Sequence, residues 1–163
     1  MTRDQTEIEQ GKASFANAWT AALHAVQVSG RAPLSARHAL HAALLINQFS
    51  DIAFTLRGTL PLLDLATARD LPRFRANLRG HEPSLGLVMA LSAAGADGPR
   101  LEVRVMDVAP EEFPSLSVAD LMVSLYNNGT VPRLMLVQHD ECEHQMQHLL
   151  QAASRWWSGN LSM

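Results

Sequence analysis

At 163 residues and 47% apolar content the chain has the size of one domain, which buries roughly 70% of its unfolded surface and needs no disulfide or metal for stability. A formal charge of −3 gives no global reason to expect nucleic acid or an anionic membrane as partner. Cys142 is the only cysteine, which excludes an internal disulfide and a four-cysteine zinc site.

The N-terminus, Met1 to Glu7, opens polar and acidic with no apolar signal-peptide core behind it. The longest apolar run, Ala42 to Ile46, is far below the roughly 18 residues of a transmembrane helix. Both features point to a cytoplasmic protein with no membrane partner. Twelve arginines against Lys12 alone, with abundant Ala and Leu, suggest a GC-rich bacterial genome.

The first 80 residues predict helices. Thr6 with Glu9 fits a capping box, and Phe15, Trp19, Ala22, Leu23 and Val26 recur at helical spacing as one buried stripe. Ser29-Gly30 ends that helix before Pro33. A second helix is expected from Ser35 to Arg57-Gly58. Leu45, Phe49, Ile52, Ala53 and Leu56 form its apolar face, and Asn47, Ser50 and Asp51 a narrow polar strip. Asp70 caps a short third helix with Pro72 in its first turn and Gly80 beyond its end.

After Pro83 the pattern turns to strand. Residues 85–93 and 101–108 are rich in Leu, Val and Met, and the link from Ala94 to Pro99 carries turn residues, which predicts a β-hairpin. Residues 117–129 predict a capped helix, with Val118, Leu121, Met122 and Leu125 on one face and a hairpin at Asn128-Gly129 as the competing arrangement. Residues 134–137 predict a short strand. The last helix is expected over 140–157, burying Cys142, Met146, Leu149, Leu150, Ala153 and Trp156.

Three constellations bear on chemistry. On a helix His144 and His148 share a face with Glu141 one turn earlier, and two His with one carboxylate is a ligand set of zinc and non-haem iron sites. A simpler account is an exposed helix start whose acids, Asp140, Glu141 and Glu143, complement the helix dipole. Arg57, Arg69, Arg73, Arg75 and Arg79 gather five of the 13 basic residues in one stretch, without the interleaved aromatics of a nucleic-acid surface. Residues 107–143 carry seven acids against Arg133 alone, so the two halves of the chain complement each other in charge. Adjacent Trp156 and Trp157 point about 100° apart on a helix, so one is expected inside and the other free to anchor an interface.

No nucleophile elbow, P-loop, dinucleotide fingerprint or HExxH motif is present. The sequence therefore predicts a single α+β domain over 1–163: a helical N-terminal half packed on a small, mostly antiparallel sheet, closed by a C-terminal helix. The expected function is non-enzymatic binding of another protein, as a regulator such as an antiactivator, a secretion chaperone or an immunity protein, with no cofactor. The expected contact residues are Arg69, Arg73, Arg75, Arg79, Trp156 and Trp157, and a second copy of the chain is among the admissible partners. The alternative is a small metal-dependent hydrolase or oxygenase using Glu141, His144 and His148.

Overall fold

The computed structural model describes residues 3–94, 98–138 and 142–161, with side chains from residue 13. It is an α+β fold: five helices precede the first strand, a three-stranded antiparallel sheet follows, and a C-terminal helix closes the chain.

Helix α1 (Arg3–Arg31) already runs at Arg3, so Thr6 lies within it and is not its cap. Its buried stripe is Trp19, Ala22, Ala25 and Val26, with Phe15 and Leu23 at the margin. Helix α2 (Ala36–Thr55) starts where Ser35 accepts a hydrogen bond from His38 N at 3.3 Å. It buries Ala39, Ala42, Ala43, Ile46, Phe49, Ser50 and Ala53. The small alanines let α1 and α2 approach closely. Ser50, expected in a polar strip, is buried and donates its hydroxyl proton to Ile46 O at 3.0 Å. Phe49 is the hub of the core, with ring centroids 4.9 Å from Phe15, 4.8 Å from Trp19 and 5.0 Å from Trp157.

A 3₁₀ turn (Arg57–Thr59) and the one-turn helix α3 (Leu63–Ala66) lead into α4 (Leu71–His81), where Asp70 caps by accepting from Arg73 N at 2.8 Å. Gly80 lies inside α4 and not beyond it. The predicted strand over 85–93 is instead helix α5 (Pro83–Ser92), which opens with Pro83 and with Glu82 accepting from Ser84 N at 3.0 Å. Leu85, Val88, Met89 and Leu91 are buried. A segment apolar on every side shows neither period 2 nor period 3.6, so a buried helix and a buried strand read alike.

Strand β1 (Arg100–Asp107) therefore pairs elsewhere. Its partner is β2 (Thr130–Val137), with Leu101 opposite Leu136, Val103 opposite Leu134 and Val105 opposite Pro132. Between them lie a 3₁₀ segment (Pro110–Ser115) and helix α6 (Val118–Tyr126), which settles the 117–129 ambiguity in favour of the helix. Asn128 and Gly129 adopt positive φ, 52° and 81°, and Gly129 N bonds Ser124 O at 2.8 Å. The Asn-Gly pair thus ends a helix and starts a strand. Val108 N donates to Gly129 O at 2.9 Å. The alternation of an antiparallel ladder then turns Pro132 away from β1, to a stretch that β3 does not reach.

Helix 140–157 is also corrected. Gln138 N donates to Cys142 O at 3.0 Å and closes a hairpin, so Glu143–Gln145 form strand β3 against Val137, Leu136 and Met135. Helix α7 (Met146–Asn160) begins only there and buries Met146, Leu149, Leu150, Ala153, Ser154 and Trp157. Trp157, four residues past Ala153, takes the inner position expected of Trp156. Cys142 precedes β3 and is exposed, not in the core. One cluster joins all this: α1, α2, α4, α5 and α7 supply most of it, and the sheet adds Leu134 and Leu136. No described helix is long and apolar enough to cross a membrane.

Candidate protein-interaction surfaces

The metal hypothesis needed one helical face, and that face does not form. His144 sits on β3, His148 is exposed on α7, and Glu141 lies outside the described residues. His144 Nε2 is 3.1 Å from Gln138 Nε2 across the hairpin. Among the described residues no three His, Cys, Asp or Glu side chains are grouped to hold a metal ion.

The arginine stretch divides by role. Arg75 is engaged with Asp51 on α2, with Nη2 at 2.6 and 2.9 Å and Nε at 3.1 Å from the carboxylate oxygens. Arg57 donates to Ala68 O at 2.8 Å and Phe54 O at 3.0 Å and lies 4.2 Å over the Phe54 ring. Both side chains brace the fold. Arg69, Arg73 and Arg79 are exposed, and the first two border an open cavity of about 400 Å³ with Asp64 and Asn77. Trp157 is fully buried, whereas Trp156 is half-buried, 5.0 Å from Trp157 edge-on and stacked 6.2 Å from His81. His81 in turn bonds Asp64 at 2.8 and 2.9 Å. Trp156 thereby meets the C-terminal end of α4, the helix that carries Arg73 and Arg79.

The surface that sequence reasoning missed is α6. Only Ser124 of this helix is buried, while Val118, Leu121, Met122, Leu125 and Tyr126 are exposed, Val118 at 80% and Tyr126 at 81%. Arg133 on β2 ties the helix to the sheet through Asp120 at 2.9 Å. The apolar spacing was legible, but an amphipathic stripe does not say whether its cover lies in the same chain. Asp107, Glu111 and Glu112 are exposed beside it in the chain. Monomers rarely leave a contiguous apolar face of this kind without a use for it.

β1 is the other open element. From Val103 to Asp107 every side chain is exposed, Val105 at 71%. Leu101 packs on the core, and Val103 and Val105 continue past it. On the opposite face Glu102 is paired with Arg100 and, at 2.7 Å, with Arg104, which also reaches Glu143 on β3 at 3.3 Å. The hydrogen bond from Arg100 holds the Glu102 carboxyl below the ordinary carboxylate range, desolvation opposes it, and the charges of Arg104 and Arg100 add to it.

A polar cavity of about 420 Å³ opens between the α1–α2 junction and α7, lined among others by Gly30, Leu116, Arg133, Gln147, His148 and Gln151. Its one arginine is engaged by Asp120. Compared with known proteins, the chain matches no family model, no curated sequence and no solved structure.

Proposed function

We propose that this is a non-enzymatic protein that works by binding another protein, in a regulatory, secretion-chaperone or immunity-type role. The observation that carries the reading is the exposed row Val118, Leu121, Met122, Leu125 and Tyr126 on α6. Helix-in-groove recognition uses such a row at i, i+3, i+4 and i+7. The acids beside it favour a partner whose apolar groove has a basic rim. The test is a Val118→Asp/Leu125→Asp variant against a partner isolated with wild-type protein and reconstituted from purified components. Affinity should fall by at least about 2 kcal/mol, the scale of an interface hot spot. Undiminished binding sinks α6 as the contact.

The contact of Trp156 with the end of α4 favours a second arrangement, in which Trp156 anchors and Arg69, Arg73 and Arg79 form a basic rim. That surface suits an acidic partner. Arg73→Ala should then slow association and weaken its salt dependence, while Val118→Asp leaves binding unchanged.

A further inference from the structure

β1 is an eight-residue outer strand, and its free edge has a definite chemistry. The Val108–Gly129 bond sets the alternation along the ladder, so the even-numbered residues of β1 face β2. The N–H and C=O groups of Leu101, Val103, Val105 and Asp107 point outward, and no described backbone group meets them. Natural proteins blunt such edges with charged side chains, lysine above all, with proline or with bulges. This edge has no lysine, proline or bulge, and its charges, Arg100, Glu102, Arg104 and Asp107, include both signs, so two copies can match them.

We propose that β1 pairs antiparallel with β1 of a second copy, the two-fold axis passing beside Val103, so that two three-stranded sheets become one of six. This goes beyond the α6 reading and does not depend on it. The register follows from the sequence of the strand. Only registers that pair odd residues with odd residues bring outward N–H and C=O groups together. Centring on Glu102 sets two carboxylates face to face, and centring on Arg104 sets two guanidinium groups face to face. Centring on Val103 sets Glu102 against Arg104 twice, by symmetry. The same register makes the centre of the other face apolar, with Val103 on Val103 and Leu101 on Val105 of the second copy.

The surroundings of Leu101 fit that arrangement. Between β1 and α2 runs an open groove of about 550 Å³, bordered by Leu40, Leu44, Leu91 and Leu101 and by Arg37 and Arg100. Leu40 and Leu44 are large apolar side chains left exposed on the outer face of α2. Val105 of the second copy enters beside Leu101, where these leucines cover it. Asp107 of the second copy then falls opposite Pro99, at the arginine-bordered end. The ends of the two strands are thus complementary in apolar surface and in charge.

A cysteine trap reads the register directly. In a Cys142→Ser background, Val103→Cys places two thiols at a hydrogen-bonded pair about 5.5 Å apart at Cα, inside the disulfide range. Val105→Cys places them about 13 Å apart along the strand, beyond it. Mild oxidation should cross-link the first variant and not the second. In sedimentation equilibrium the wild type should dimerise, and Glu102→Arg and Arg104→Glu should each weaken dimerisation about tenfold or more, with like charges facing twice. The double variant should restore it, and Val118→Asp/Leu125→Asp should leave it intact. A monomeric wild type at every concentration overturns the proposal. So does a dimer indifferent to both single charge reversals, cross-linking through residue 105 instead of 103, or loss of the dimer in the α6 variant.

Discussion

Phe49 is touched by three aromatic rings drawn from both ends of the chain, which makes the core sensitive to single truncations. Trp19→Ala should cost about 3–5 kcal/mol, measured by urea unfolding, and an unchanged midpoint would mean that α1 is peripheral. Trp157→Phe should cost clearly less than Trp157→Ala, because it keeps the edge-on contact with Phe49. The position of Trp19 was legible from its spacing to Ala22 and Val26. The role of Arg75 was not. Its partner Asp51 lies 24 residues away, and a run of arginines reads as a patch until the fold shows which are engaged. The two side chains are 31% and 41% exposed, so the Arg75–Asp51 coupling in a double-mutant cycle should be at most about 1 kcal/mol. Arg73→Ala, with no ion pair among the described residues, should change stability by less than about 0.5 kcal/mol.

Elements with start and stop residues were readable, and elements defined by their neighbours were not. Ser35 and Asp70 announce α2 and α4 through their capping oxygens, and Asp70→Ala should cost about 1 kcal/mol in thermal or urea unfolding. α5 has the same signals in Glu82 and Pro83, but its uniform apolarity outweighed them. β3 was hidden for the opposite reason: its residues carry helical spacing, and only pairing with Val137, Leu136 and Met135 makes them extended. That one hairpin also takes His144 off the helical face it was expected to share with His148. For α6 the shared apolar face was legible, and its exposure was not. Leu125→Ser should therefore leave the unfolding midpoint nearly unchanged, whereas Leu85→Ala, at a fully buried position of α5, should cost about 2–5 kcal/mol.

For the whole molecule, a single core that includes Trp19, Trp157 and the sheet residues Leu134 and Leu136 implies one cooperative transition. Tryptophan fluorescence and far-ultraviolet circular dichroism should report coincident unfolding curves, and a separated second phase would show that the sheet melts apart from the helices. The α+β class, the single core and the closing helix were all legible. The split between a covered and an uncovered apolar face was not, because it depends on the shape the helices take together. Pro132 carries a further consequence. It removes a donor from the side of β2 that faces away from β1, and β3 beside it has only three residues. The sheet therefore has one long open edge and one that is short and interrupted. Two molecules joined through β1 would present only the short edges, which offer a further copy little backbone to pair with.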